Sequence, residues 1–243
     1  MSTVNYFADG CELLRKDSPN MQSIWLCMFN PTKRDAGVVM MLYYEDIDPT
    51  QLRLTVPAKT KRNFHLSEYN EVVKDKHYGA RILSTEPIVV QPAVGYYGPD
   101  DKHDWYTRAS YWTIASTALS KVWYFADGVV IDVPDRRLKE SEWVFVLKPN
   151  KEATQVTLNV YYNDQTEDVF RCNVPAERLK AIFLDDIVTK NKGYGVRIVS
   201  GEPIAVQETR RIWEEDRRVI RSAMSTMAFP WPLHWGDDID EIL

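Results

Sequence analysis

Residues 78–91 read YGARILSTEPIVVQ, and residues 194–207 read YGVRIVSGEPIAVQ. The segment YFADG at residues 6–10 also returns unchanged at residues 124–128. The spacing is close to half the chain, much longer than the roughly 20–50 residues of a solenoid repeat. A whole domain has therefore been duplicated. We expect two domains, residues 1–120 and residues 121–243.

The composition indicates an ordinary globular protein. The chain has 243 residues, of which 44% are hydrophobic and 27% charged, and each half is long enough to bury a core. A net charge of −5 does not favour binding to nucleic acid. No apolar run approaches the roughly 20 residues of a membrane span, so we expect no direct membrane insertion. Three cysteines that alternate with apolar residues predict free thiols in the reducing cytoplasm.

Short alternating segments predict an all-β fold in both halves. Val156, Leu158 and Val160 alternate with polar or aromatic residues, which is typical of a half-buried strand. Turn signals every 8–14 residues or so favour two tandem antiparallel β-sandwiches that form a pseudo-dimer. We expect turns at both Ala-Asp-Gly and both Glu-Pro segments, and short helices at residues 104–119 and 214–227. The tail at residues 229–235 is rich in Trp and Pro and is expected to dock on this chain or a neighbouring subunit.

Several motifs share an order and spacing with a known family. Residues 43–46 read YYED, residues 52–59 read LRLTVPAK, and residues 84–91 read STEPIVVQ. The second half has looser counterparts at residues 161–164, 173–176 and 200–207. In this pattern the chain resembles the sensory rhodopsin transducer family, over residues 6–117 and 124–227.

The resemblance implies a compact β-sandwich in each half, oligomeric assembly and a soluble cytoplasmic protein. It also implies the binding of small molecules, including sugars, and one branch of the family couples to a membrane photoreceptor. A fused double domain departs from the single-domain transducer.

The resemblance also implies where a ligand would bind. The family has polar residues after the Val-Pro-Ala strand and Gln-x-Thr-Arg after the last strand. The first half keeps only the polar residues after its Val-Pro-Ala strand, and the second half keeps only Gln-x-Thr-Arg. If the halves face one another, they could form one composite pocket. Simple decay of an unused site after duplication explains the difference equally well. The candidate ligand-binding residues are Asn30, Tyr44, Asn63, His65, Gln91, Tyr162, Gln207, Thr209 and Arg210.

Catalytic motifs are missing from the sequence. The four histidines have no metal-ligand spacing, and there is neither a Gly-x-Ser-x-Gly segment nor a phosphate-binding glycine loop. We therefore predict no catalytic residue, no metal and no cofactor.

Three functions remain open at this stage. The leading hypothesis is a non-enzymatic protein that binds a small polar ligand, such as a sugar or a sugar acid, and signals to a protein partner as a homo-oligomer. The second is a structural or signalling adaptor without a ligand, and the third is a carbohydrate-processing enzyme. An apolar cleft without convergent polar groups would favour the adaptor, and two carboxyl groups across a deep cleft would favour the enzyme.

Overall fold

The chain was analysed as a computed structural model that describes residues 2–14, 21–97, 107–134, 137–214 and 219–230. The all-β prediction is confirmed. Within these ranges the only helices are two single 3₁₀ turns, Leu66–Glu68 and Leu184–Asp186.

The first repeat contains seven strands. They are β1 (Ser2–Cys11), β2 (Met21–Asn30), β3 (Ala36–Tyr44), β4 (Thr50–Val56), β5 (Thr60–His65), β6 (His77–Tyr97) and β7 (Thr107–Trp112). One antiparallel sheet has the order β4-β3-β6-β1, and the other has the order β5-β2-β6-β7.

The second repeat follows the same plan with one additional short strand. It contains β8 (Ser120–Val129), β9 (Leu138–Lys148), β10 (Thr154–Tyr162), β11 (Glu167–Val174), β12 (Arg178–Phe183), β13 (Gly193–Glu214), β14 (Val219–Met227) and β15 (Phe229–Pro230). Its sheets have the orders β11-β10-β13-β8-β15 and β12-β9-β13-β14.

One long strand in each repeat belongs to both sheets. The first part of β6 pairs with β1 and β3, and from Val89 onward it pairs with β2. The turn predicted at Glu-Pro is therefore wrong, because the strand passes through a corner without ending. Ser84 Oγ donates to the Glu86 carbonyl at 2.7 Å, and Ser200 Oγ makes the same bond to Glu202 at 2.7 Å. This local bond holds the corner in both repeats.

Side-chain alternation fills the space between the sheets. Leu52, Leu54 and Val56 of β4 are buried, and the intervening residues are exposed. The second repeat has its own buried cluster around Trp123, Val146 and Ile198. Each repeat therefore buries a separate apolar core, as the duplication predicts.

The predicted terminal helices are wrong where the structure describes them. Residues 107–112 form β7 on the edge of β6, and residues 219–227 form β14 along β13. The second half of each long strand needs a hydrogen-bonding partner, and this pairing outweighs the weak local helix preference. Residues 104–106 and 215–218 lie outside the described residues, as does the tail from residue 231.

The Ala-Asp-Gly segments lie inside strands, so the turn prediction is also wrong. The pairing of β1 with β6 shifts register between Phe7 and Gly10, which marks a β-bulge, and β8 repeats it. A Cβ atom on Gly10 would lie 2.3 Å from the Tyr78 ring, and one on Gly128 would lie 2.1 Å from the Tyr194 ring. Glycine is needed in both repeats because a tyrosine ring crosses directly over it.

The two repeats pack tightly against each other. Tyr6, Ala8 and Tyr43 of the first repeat belong to the core cluster of the second, and Ile220 of the second belongs to that of the first. Gly79 faces Leu147, and a Cβ atom at Gly79 would approach the Leu147 side chain to 2.9 Å.

We expect Gly79→Ala to lower the free energy of unfolding by about 1–3 kcal/mol, since the added methyl group overpacks the junction. Chemical denaturation measures this change. Gly37→Ala is the matched control, because its Cβ would meet Thr85 at an ordinary 3.6 Å. Equal stability of the two variants would contradict the close packing.

Candidate functional site

A buried carboxylate lies at the junction of the repeats. Asp9, in the β1 bulge, is fully buried. Its Oδ2 accepts hydrogen bonds from Tyr111 Oη at 2.5 Å and from Thr209 Oγ1 at 2.6 Å. Gln207 Oε1 accepts from the backbone N–H groups of Ala8 and Asp9 at 2.9 and 3.1 Å. The bulge of the first repeat is thus recognised by β13 of the second.

An arginine supplies positive charge to this junction. The guanidinium of Arg211 lies over the rings of Trp143 and Tyr96, at 4.5 and 5.3 Å from their centroids. Burial opposes its charge, but interaction with Tyr96 and Asp9 keeps the pKa of Arg211 above its usual value. His77 Nδ1 lies 3.8 Å from Asp9 Oδ1, and burial lowers the pKa of His77, so this ring is neutral at pH 7.

The corresponding position in the second repeat is an open groove. Asp127, the counterpart of Asp9, has a side chain that is 90% exposed. Arg210 Nη2 lies 3.2 Å from Asp127 Oδ2, and Arg210 Nε donates to Glu142 Oε1 at 2.8 Å. Glu142 is buried and also accepts from Tyr194 Oη at 2.6 Å. An internal ion pair therefore holds Arg210 in the groove.

Glu208 adds a second carboxyl group to the groove. Burial and the negative charge of Glu142 raise the pKa of Glu208 to about 8. Its Oε1 is buried without a hydrogen-bond partner among the described residues. At neutral pH this group is mainly a neutral carboxylic acid, which can donate a hydrogen bond as well as accept one.

The groove has a volume of about 370 Å³. Three charged or ionisable residues, Asp127, Glu208 and Arg210, line it together with Tyr124, Met224 and Phe229. Phe229 is 70% exposed. A second, mainly apolar cavity of about 380 Å³ adjoins the groove and shares Tyr124, Phe125, Ala126 and Phe229 with it. The groove thus combines ionisable groups with aromatic residues, and the adjoining cavity shares the aromatic ones.

A family comparison identifies the repeated unit. The family model described as Anabaena sensory rhodopsin transducer matches residues 7–94 and again residues 119–230. The chain belongs to this family. The double match confirms that the transducer domain is duplicated in tandem.

Solved structures give additional similarities. The Anabaena sensory rhodopsin transducer is 28% identical over 37% of this chain and 92% of its own, with a TM-score of 0.32. Thermotoga maritima protein 1070 is 18% identical over 46% of this chain and 95% of its own, with a TM-score of 0.41. Bacteroides uniformis β-glucuronidase 2 is 7% identical over 95% of this chain and 32% of its own, with a TM-score of 0.18. Comparison with curated protein sequences gives no match.

Three predicted site residues of the transducer domains are structural. The Asn30 amide donates to the carbonyls of Arg34 and Val56 at 2.8 and 3.0 Å. Tyr44 Oη accepts from the Val73 N–H at 3.0 Å, and Tyr162 Oη accepts from the Thr189 N–H at 2.7 Å. All three side chains are buried and hold loops in place, which explains why both repeats keep the tyrosine.

His65 lies in a separate polar cluster of the first repeat. Ser23 Oγ donates to Glu12 Oε2 at 2.6 Å and lies 2.6 Å from His65 Nε2. The His65 ring stacks on Trp25 with a centroid distance of 4.3 Å. The serine is buried between the carboxyl group and the imidazole, so the order differs from a Ser-His-Asp triad, in which histidine is central.

The remaining predicted residues fall in three places. Gln207 and Thr209 lie at the junction, Arg210 lies in the groove, and Asn63 and Gln91 lie on the outer face of β5 and β6. The structure brings Gln207 and Thr209 to the first repeat, but they meet Asp9 there and not Asn63 or His65.

Sequence reasoning missed Asp127, Glu208 and Phe229 as groove residues. The Ala-Asp-Gly sequence predicts a turn at Asp127, and Glu208 lies between two predicted site residues, Gln207 and Thr209. The usable signal was the pair Asp9 and Asp127, since a repeated aspartate inside a strand suggests a repeated polar role.

Three further observations bear on what the described residues can do. Within the described ranges, no three His, Cys, Asp or Glu side chains are grouped to hold a metal ion. The described helices are too short to cross a membrane. All three cysteines are free thiols.

Replacement of Asp9 by Asn should lower the free energy of unfolding by about 3 kcal/mol, because it leaves the buried Arg211 without its nearby negative charge. Thermal or urea denaturation measures this effect. Asp127→Asn is the matched control at the same repeat position, and its exposed ion pair should change stability by less than about 1 kcal/mol. Similar losses in both variants would contradict the different roles of the two aspartates.

Proposed function

We propose that this chain is a non-enzymatic binding protein whose second repeat takes a small, neutral, hydroxyl-rich ligand in the groove above Glu208 and Arg210. The observation that carries the proposal is that Asp127, Glu208 and Arg210 line the same groove as the exposed Phe229 ring. Ligand sites commonly combine apolar walls with a few placed polar groups.

The polar floor suits hydroxyl groups. The Asp127 carboxylate accepts hydrogen bonds, and the neutral Glu208 carboxyl group can donate or accept one. Arg210 is already engaged by Glu142 and Asp127, so it serves mainly to position these carboxyl groups. A sugar hydroxyl group both donates and accepts hydrogen bonds, and these carboxyl groups offer a partner for each role.

The charges favour a neutral ligand over a sugar acid. The single cation Arg210 is balanced by Glu142 and Asp127, and Glu140 Oε2 lies 3.9 Å from Arg210 Nη1. A ligand carboxylate would meet excess negative charge, since Arg210 is the one cation among the described residues that line the groove. The aromatic wall formed by Tyr124 and Phe229 offers an apolar surface for the C–H face of a sugar ring.

Strand β14 could relay the binding of a ligand in the groove to a protein partner. Met224 and Met227 of β14 line the groove, and Ile220 of β14 packs in the core of the first repeat. A ligand that moves β14 would therefore change the junction as well as the groove. This route, the transducer family and the three free thiols support a signalling role in the cytoplasm.

The ligand proposal is tested with neutral hexoses, hexitols and the corresponding uronic acids as probes. We expect a neutral member to raise the melting temperature of the full chain and the uronic acids to have less effect. Phe229→Ala should weaken its binding about tenfold, measured by calorimetry. Val169→Ala, another exposed apolar position, should leave binding unchanged. The proposal would be contradicted if no neutral probe bound, or if both variants lost the same affinity for it.

Binding should also depend on pH through Glu208. As the pH rises through about 8, Glu208 loses its proton and can no longer donate, so affinity for a neutral ligand should fall between pH 6 and pH 9. Glu208→Gln keeps a donor at all pH values and should abolish this dependence.

The free energy of unfolding should also fall as the pH rises, in the same direction as the affinity for the ligand. The raised pKa of Glu208 means that its contribution is present at low pH and is lost as the pH rises through about 8. The free energy of unfolding should therefore decline less between pH 6 and pH 9 in Glu208→Gln than in the unmodified protein. Parallel pH profiles for the two proteins would show that Glu208 is not the titrating group.

A second candidate function is glycoside hydrolysis, favoured by two carboxyl groups in one groove. Glu208, with its raised pKa, would be the acid and Asp127 the second carboxylate. The exposure of Asp127 argues against it, because a catalytic carboxylate must be held in place. Release of nitrophenol from nitrophenyl glycosides, lost in Glu208→Gln, would establish the enzyme and overturn the binding proposal.

A further inference from the structure

Two serines at the same repeat position each donate a hydrogen bond to a carboxyl group. Ser23 Oγ donates to Glu12 Oε2 at 2.6 Å, and Ser141 Oγ donates to Asp185 Oδ2 at 2.6 Å. In each repeat the other carboxyl oxygen accepts the backbone N–H of the residue after the serine, at 2.9 and 3.0 Å. Glu12 follows β1, whereas Asp185 lies in the second 3₁₀ turn. The serine and its hydrogen bond are therefore common to both repeats, although the acid comes from a different segment.

The second partner of the serine differs between the repeats. Ser141 Oγ accepts from Trp213 Nε1 at 2.9 Å, and an indole nitrogen can only donate. Ser23 Oγ lies 2.6 Å from Nε2 of His65. A neutral imidazole nitrogen donates or accepts according to which of the two nitrogens carries the proton. The direction of the hydrogen bond from Ser141 to Asp185 is therefore fixed, whereas the direction at Ser23 can reverse.

The imidazole of His65 lies between the buried serine and the surface. Its ring stacks on Trp25 with centroids 4.3 Å apart and planes 6° apart, and the second repeat packs Phe183 on the equivalent tryptophan. Nε2 faces Ser23, and Nδ1 lies 3.6 Å from Oε1 of the exposed Glu68. Since a phenylalanine fills the same place in the second repeat, the imidazole adds hydrogen bonding to the stack.

Glu12 changes its protonation state near neutral pH. It is fully buried, and burial raises the pKa of its carboxyl group to about 7. Burial lowers the pKa of His65, so the imidazole is mainly neutral while Glu12 titrates. Oε1 of Glu12 accepts the Ile24 N–H at 2.9 Å, so an added proton resides on Oε2, which faces Ser23. Among the described residues, the other titratable or charged groups near Glu12 and His65 are Cys11, Glu68, Lys74, Asp75 and Tyr78.

We propose that Glu12, Ser23 and His65 form a proton-sensitive relay in the first repeat. With Glu12 ionised, the Ser23 hydroxyl donates to Glu12 and accepts from the Nε2–H group of His65. When a proton enters at Nδ1, the Nε2 proton passes to Ser23 and the Ser23 proton passes to Glu12, so a single proton is taken up. Both hydrogen bonds then run in the opposite direction. Protonation of a buried carboxyl group thus changes His65 Nδ1 from an acceptor into a donor.

The loop after β5 receives this change. As an acceptor, Nδ1 can bind the hydroxyl of Ser67, whose Oγ lies 3.1 Å away, and as a donor it faces the Glu68 carboxylate. Lys74 Nζ donates to two carbonyl groups of this loop at 3.0 and 3.3 Å, and it also loses the attraction of the Glu12 charge. We therefore expect residues 66–74 to respond to protonation of the relay. This inference does not depend on the ligand, because the relay lies in the first repeat and the groove in the second.

Long-range ¹H–¹⁵N NMR of the labelled full chain reads the tautomer of His65 directly. The signals that His65→Asn removes are those of this ring. In the unmodified protein we expect the Nε2–H tautomer above the pKa of Glu12 and the Nδ1–H tautomer below it. The ratio of the two tautomers should change about tenfold per pH unit, because it follows the protonation of one group. The backbone amide signals of Ser67 and Glu68 should shift with the same midpoint, near pH 7.

Three variants show whether Ser23 carries the effect. Ser23→Ala should leave His65 in one tautomer until the imidazole itself is protonated. Ser141→Ala is the matched control in the second repeat, and it should leave the His65 transition unchanged. Glu208→Gln should also leave it unchanged, which separates this result from the titration of the groove. Circular dichroism establishes that each variant is folded, and the measurement on the unmodified protein needs no variant.

The relay would be overturned by any of three results. The first is a single His65 tautomer in the unmodified protein across this pH range. The second is direct conversion of the Nε2–H tautomer into the imidazolium ion, without the Nδ1–H tautomer. The third is a tautomer transition that Ser23→Ala leaves intact.

Discussion

The buried carboxylate of Asp9 is the constraint on which the junction depends. Burial of a carboxylate costs free energy unless it is hydrogen-bonded or lies near a positive charge. The second repeat provides both, through the Thr209 hydroxyl and the guanidinium of Arg211. Gln207 adds hydrogen bonds to the bulge backbone that positions Asp9. The repeats are therefore fixed in one relative orientation by groups from both of them, and apolar packing around Tyr6 and Tyr43 fills the remainder.

Duplication places the same bulge in two different environments. In the first repeat it is covered, and Asp9 is structural. In the second repeat it is open, and Asp127 lies at the edge of a groove with Glu208 and Arg210. Equivalent residues thus form an internal joint in the first repeat and line the groove in the second, where we propose that a ligand binds.

Much of the fold could be predicted from sequence because strand alternation and the duplication are local or repeated signals, as Val156–Val160 shows. The helices and turns were predicted wrongly because the pairing of β14 with β13 and the corner at Glu86 depend on distant backbone partners. In the candidate site, Arg210 could be found by comparing the repeats. Glu208 and Phe229 could not, because their roles depend on burial and on the return of β15 to β8.

Calorimetry tests most directly the claim that the buried junction makes the repeats one structural unit. Scanning calorimetry of the full chain should show a single transition, with a calorimetric enthalpy close to the van 't Hoff enthalpy of a two-repeat unit. We expect neither repeat to be stable on its own, since each core contains side chains from the other. Two resolved transitions, each with the enthalpy of a single repeat, would contradict the account.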